Sequence, residues 1–137
     1  MGGQAVKITA DTNVLVRAIV GDHPKQTKAA QDELKRAEVV AVATPTLCEL
    51  VWVLAQGYKI SPAEIADAVR VLVNSTNVVV DRLAAEAGLA MLDAGGDFAD
   101  GAIACEGQRL GADAFVSFDK QAVKLLETQG VSARLLA

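Results

Sequence analysis

The chain has 137 residues, 52% of them hydrophobic and 22% charged, with a net charge of -4. That is enough chain for one domain with a real core and too much apolar content for disorder. No apolar run approaches the roughly 20 residues that a membrane-spanning helix needs, and the acidic balance argues against a broadly basic surface of the kind that grips phosphates. Several acids gathered around a bound cation would leave the remaining surface close to neutral, so the charge alone does not exclude a nucleic-acid substrate. Aromatic residues make up only 4%, so the core must be built from Val, Leu, Ile and Ala.

Met1-Gly2-Gly3-Gln4 carries neither a basic flank nor an apolar signal core, so export is not expected. The two cysteines, Cys48 and Cys105, lack paired ligand spacing and read as buried free thiols of a reducing cytoplasm. A strand over 6–10 leads into a helix over 12–20, which Gly21-Asp22-His23-Pro24 breaks. A polar-faced helix over 25–37 follows, then a continuous apolar run at 39–43, typical of a strand covered on both faces. Thr44-Pro45 reads as an N-cap hydroxyl and a proline at the first helical position, opening a nearly all-apolar helix to Gln56. Ser61 and Glu64 have capping-box spacing at the start of a helix to about Asn74. A strand at 78–80, a helix over 82–94 stopped by Gly95-Gly96, and a helix over 97–110 come next. A strand at 114–117, a helix over 121–129 and an edge strand over 131–135 complete the chain. Alternating strands and helices predict an α/β domain of three layers, α/β/α, around a mostly parallel sheet of four to five strands, with 1–137 as one domain. In such sheets ligands bind beyond the carboxyl ends of strands, and Asp11 and Asp119 both fall there.

Four acids stand out: Asp11, Glu49, Asp100 and Asp119. Asp11, Asp97 and Asp119 each read equally well as helix N-caps, and Asp100 as a partner of a helix dipole. Glu49 is harder to explain in that way. It is the only charge in residues 46–54, and so apolar a helix is expected to be mostly buried. A buried carboxylate without a partner costs several kcal/mol or is forced to protonate. Arg17 can supply a structural ion pair, whereas a shared metal accounts for all four acids together. Hard divalent cations such as Mg2+ and Mn2+ take oxygen ligands and keep several waters. No His pair or Cys cluster suggests zinc or iron. The sole histidine, His23, reads as a surface loop residue, which leaves no Ser-His-Asp chemistry, and no Gly-rich phosphate loop is present.

These residues resemble the motifs of the PIN-domain ribonucleases, specifically the toxin half of VapBC-type toxin–antitoxin pairs. Asp-Thr-Asn-Val-Leu-Val-Arg at 11–17 looks like the first motif and Glu-Leu-Val-Trp-Val-Leu at 49–54 the second. Asp-Phe-Ala-Asp-Gly-Ala-Ile-Ala at 97–104 is similar to the third and Ser-Phe-Asp-Lys at 117–120 to the fourth. Order, spacing and length agree over essentially the whole chain. Gly101 departs from the commoner Ala at its place and adds no bulk there.

The resemblance implies that Asp11, Glu49, Asp100 and Asp119 are catalytic metal ligands for Mg2+ or Mn2+, with Asp97, Thr12 and Ser117 auxiliary. The implied reaction is hydrolysis of RNA phosphodiesters, the cation activating water and offsetting charge on the phosphate. Arg17, Lys120 and Lys124 lie close to the acids in sequence and are candidates to guide the RNA backbone. The implied partners are a cognate antitoxin, inserting a segment into the acidic site, and a second copy in a homodimer. The apolar helices 46–56 and 61–74 offer surface for both contacts. Two competing readings are a catalytically silent PIN-like module that binds RNA or protein, and another Mg2+-dependent phosphotransfer domain. The second fits poorly, since Asp11-Thr12-Asn13 lacks Asp-x-Asp spacing and a helical Glu49 has no place in a receiver domain.

Overall fold

The computed structural model describes residues 6–137; the amino-terminal tetrapeptide read above lies outside them. Seven helices and five strands follow one another along the described residues, a pair of helices after each of the first three strands: β1 Lys7–Thr9, α1 Thr12–Val20, α2 Pro24–Arg36, β2 Val39–Ala41, α3 Thr44–Gln56, α4 Pro62–Val73, β3 Val78–Val79, α5 Arg82–Asp93, α6 Phe98–Arg109, β4 Phe115–Ser117, α7 Lys120–Thr128 and β5 Ala133–Leu135. The α/β class is as expected. The strands form two ladders, a three-stranded sheet in the order β1-β2-β3 and a two-stranded one of β4 and β5. Every strand pair among them is parallel. The chain divides into two compact units, Met1–Asp81 and Arg82–Ala137.

In the first unit β2 lies between β1 and β3, and Val40 at its centre is fully buried. The helices bury apolar side chains at helical spacing: Leu47, Leu50, Val51 and Leu54 from α3, and Ile65, Ala66, Val69 and Val73 from α4. Each of these side chains except that of Ala66 contributes roughly 1.5–3 kcal/mol when taken out of water. The connections are set by local chemistry. Gly21, at φ 72°, closes α1 in a left-handed conformation that other residues adopt only at a cost. The His23 ring caps α2, its Nδ1 accepting the Gln26 N–H at 3.2 Å. Ser61 caps α4 through the Glu64 N–H at 3.3 Å. Asn77 donates both to Leu34 O at 2.7 Å and to Ala37 O at 3.0 Å, fastening the end of α2 to the start of β3. Thr44 is not the cap of α3: Ala43 occupies that place without a side-chain bond, and Thr44 is a buried first residue of the helix.

In the second unit α5 and α6 pack so closely that glycine is required at their contact. A Cβ on Gly88 would lie 2.6 Å from the buried Phe98 ring, and one on Gly101 would lie 2.3 Å from the Ala87 carbonyl oxygen. Met91, Ala104 and Leu126 form a buried cluster, against which Phe115, Leu125, Val131 and Ala133 pack. Neither cysteine is in a disulfide; both are helical, and half-buried rather than buried.

Candidate active site

Each unit presents acids at the start of helices. In the first, Asp11 lies two residues beyond β1 and is the N-cap of α1; its Oδ1 accepts the N–H groups of Asn13 at 2.7 Å and Val14 at 3.2 Å. The cap reading is therefore correct, and it leaves Oδ2 uncommitted among the described residues. Thr12 is buried, and its hydroxyl donates to Glu49 Oε1 on α3. A cavity of about 290 Å³ opens here, lined by Asp11, Thr12, Asn13, Thr46, Glu49 and Val53.

Glu49 itself is exposed, which corrects the expectation of a mostly buried helix. Pro45, Glu49, Trp52 and Gln56, at helical spacing, form a solvent-facing stripe of α3. Arg17 does not pair with Glu49. Its guanidinium meets Gln26 Oε1 at 2.7 Å, the Tyr58 hydroxyl at 3.2 Å and the Asp22 carboxylate at 3.5 Å. A larger cavity of about 370 Å³ lies along α1 and α2, walled mainly by Val14, Ala29 and Ala30, and contains none of the four acids.

In the second unit three aspartates share one cavity of about 240 Å³ with Gly95, Gly96 and Gln121. Asp97 caps α6 through the Ala99 N–H at 3.0 Å, and Asp100 stands in the first turn of the same helix. Asp119 caps α7 through the Ala122 N–H at 3.1 Å, while its own N–H donates to Ser117 Oγ at 2.9 Å. Ser117 therefore fixes the turn that carries Asp119. Gln121 reaches the Gly95 carbonyl at 3.4 Å and braces the glycine pair that forms the cavity wall.

Asp100 is half-buried, and its carboxylate has no hydrogen bond or ion pair among the described residues. Burial pushes its pKa up, and the charges of Asp97 and Asp119 push it further. Three acids in one small cavity, with no basic side chain lining it, make a place where a cation would relieve desolvation and repulsion together. The donors are all carboxylate oxygens, the set that hard divalent cations prefer. Among the described residues no group of three or more His, Cys, Asp and Glu side chains is drawn close enough to hold a metal ion as it stands. Lys120 and Lys124 are exposed on α7 and form no ion pair among the described residues.

Several lining residues were not singled out from sequence. Thr46 precedes Glu49 by one helical turn, and Gln121 lies in the first turn after Asp119; both spacings were available as signals. Nothing in the sequence marked the Gly95-Gly96 pair as more than a helix stop.

Residues 8–126 match the PIN domain family. No curated protein matches the chain. Among the described residues no helix is long and apolar enough to cross a membrane.

Proposed function

Because the chain belongs to the PIN domain family, whose members are generally nucleases, we propose that it is an Mg2+- or Mn2+-dependent endoribonuclease and the toxin of a VapBC-type pair. One observation carries this reading beyond the family match: Asp97, Asp100 and Asp119 crowd one cavity, and Asp100 has its pKa raised by burial and by its two neighbours. Asp97 and Asp119 are accounted for as helix caps, but Asp100 has no partner among the described residues, and a bound cation would supply one.

In this reading Asp11, Glu49, Asp100 and Asp119 are the metal ligands of one functional domain spanning 1–137. A bound divalent cation supplies Lewis acidity, activating water and offsetting charge on the scissile phosphate. The chain's own side chains do the positioning. The Thr12 hydroxyl orients Glu49, Ser117 orients Asp119, and the helix caps orient Asp11 and Asp97. Outer hydrogen bonds of this kind hold ligands in place and are worth about 10–100-fold in metal affinity or activity. Lys120 and Lys124 are free to meet the RNA backbone; Arg17, tied to Asp22, Gln26 and Tyr58, contributes less. The cognate antitoxin silences the enzyme by placing a basic segment among the acids. A homodimer uses the exposed side of α4, where Val71 is 72% exposed. The protein acts in the cytoplasm.

The test is incubation of the antitoxin-free protein with structured RNAs in Mg2+, Mn2+ or EDTA, beside the Asp100→Asn variant. Cleavage that needs metal and is lost in the variant is expected. A folded, metal-binding protein that cleaves no RNA would move the reading to a silent RNA- or protein-binding module. Cleavage surviving both EDTA and the substitution would remove the acids from the reaction.

A further inference from the structure

The chain has few aromatic side chains, and their placement is uneven. Three are spent inside the fold. Phe98 is fully buried, Phe115 packs against the Met91 cluster, and Tyr58 holds Arg17. The other two face water. Trp52 is 65% exposed and Phe118 is 75% exposed. Trp52 lies one helical turn after Glu49 on the solvent-facing stripe of α3, and Phe118 immediately precedes Asp119. Each exposed aromatic thus stands beside a proposed ligand acid, Trp52 on the same helix as Glu49 and Phe118 in the turn between β4 and α7 that carries Asp119.

The backbone that carries each is well anchored. The backbone under Trp52 is anchored by Leu50, Val51 and Leu54, all buried. Phe118 lies in a turn fixed on either side: Asp119 N–H donates to Ser117 Oγ at 2.9 Å, and Leu136 N–H donates to Ser117 O at 2.8 Å. An aromatic side chain on an anchored backbone has only two χ angles to fix on binding, so it loses little entropy. The charge argument points the same way. A chain of net charge -4, with acids in the site, has little electrostatic attraction for phosphates. Stacking on a base needs no positive charge, because every base has a π-face.

We propose that Trp52 and Phe118 are base-stacking platforms, each seating an unpaired base of single-stranded RNA beside the proposed ligand acid of its own unit. The proposal rests on the ribonuclease reading and narrows its substrate class. Bases can be seated on aromatic rings only where they are splayed from a helix, so loss of either ring should weaken the binding of a single strand and leave that of a duplex unchanged.

Trp52 is the only tryptophan of the chain, so its emission reports on this site alone. Asp100→Asn protein, which stops turnover, is titrated in Mg2+ with three probes: a single-stranded oligoribonucleotide, an abasic ribose-phosphate chain of the same length, and a blunt duplex. Quenching by the first probe alone is expected. Phe118→Leu is expected to weaken that binding by about five- to a hundredfold, the range of one stacked base. In cleavage assays Trp52→Leu raises KM with kcat little changed, and Trp52→Phe restores KM in part. Equal quenching by the abasic chain, or an equal weakening of duplex binding by Phe118→Leu, overturns the proposal. So does a Trp52→Leu protein with unchanged KM and an altered sedimentation coefficient, which would assign this surface to a second copy. Failure of the wild type to cleave any RNA would count against the nuclease reading instead, while the quenching comparison still decides the stacking.

Discussion

The Gly101 contact gives a sharp quantitative prediction, because two effects of one methyl group oppose each other there. Alanine stabilises a helix interior over glycine by about 1 kcal/mol. Its Cβ, however, would lie 2.3 Å from Ala87 O and 2.7 Å from Met91 Cγ, where ordinary contact begins at 3.4 Å. A backbone oxygen cannot rotate aside, so α6 must shift away from α5, and Phe98 against Gly88 in the same interface resists the shift. Overpacking of this kind costs about 1–3 kcal/mol, and a contact with rigid backbone belongs at the upper end. The net expectation for Gly101→Ala is about 1–2 kcal/mol of destabilisation, or a drop in Tm of roughly 4–8 °C for a chain of this size. Asp100 is the neighbouring residue and moves with the helix. A misplacement of about 1 Å can cost on the order of a hundredfold in rate, so RNA cleavage should fall by about ten- to a hundredfold. Urea unfolding measures the first effect and cleavage in Mg2+ the second. Gly107→Ala is the control on the same helix: its Cβ meets nothing closer than 4.0 Å, so it should gain up to about 1 kcal/mol. If Gly101→Ala were also more stable and fully active, the helices would have room that the geometry denies.

A raised carboxyl pKa means that native Asp100 keeps its proton to higher pH than the unfolded chain does, so stability falls as pH rises from the ordinary carboxylate value through the raised one. In EDTA near neutral pH, Asp100→Asn should therefore melt above the wild type, the gap closing as pH drops below the ordinary carboxylate range; a variant that melts lower throughout would show that the three acids do not repel. Asn caps a helix as well as Asp, whereas Ala loses the cap at about 1 kcal/mol. Asp119→Asn should thus unfold within a few tenths of a kcal/mol of the wild type and Asp119→Ala about 1 kcal/mol lower, both inactive, as denaturant midpoints and cleavage assays will tell. Thr12→Val keeps the shape but removes the donor to Glu49. It should weaken Mg2+ affinity about tenfold or more by titration calorimetry, and an unchanged affinity would deny Thr12 its orienting role.

The helix starts were legible because they are local chemistry. Ser61, Asp97 and Asp119 bond backbone groups within three residues, and Gly21 and Gly95 end helices by their own φ. Thr44 misled because threonine followed by proline fits an N-cap equally well one residue later. Glu49 misled for a different reason. When one face of a helix carries Trp52 and its other face carries leucines, composition shows no contrast between them, so the solvent side of α3 was invisible. Strand number was readable, but pairing was not: nothing local in Val78–Val79 or Phe115–Ser117 says which strand lies alongside. The requirement for glycine at 88 and 101 was equally hidden, since it is set by atoms of a neighbouring helix.

The hydrogen bonds that begin the helices also determine how much of each acid is left for a cation. Asp11, Asp97 and Asp119 each commit Oδ1 to backbone N–H groups, and Glu49 commits Oε1 to Thr12. In each of these four the other oxygen accepts no hydrogen bond among the described residues, and on the proposed reading it is the one most open to a cation. Asp100 alone keeps both oxygens uncommitted among the described residues. Ca2+ favours six to eight oxygens and accepts two-pronged carboxylates, whereas Mg2+ wants a near-octahedral shell and gives up its waters reluctantly. On the proposed reading, the backbone bonds that begin the helices thus decide which carboxylate oxygen faces the cation.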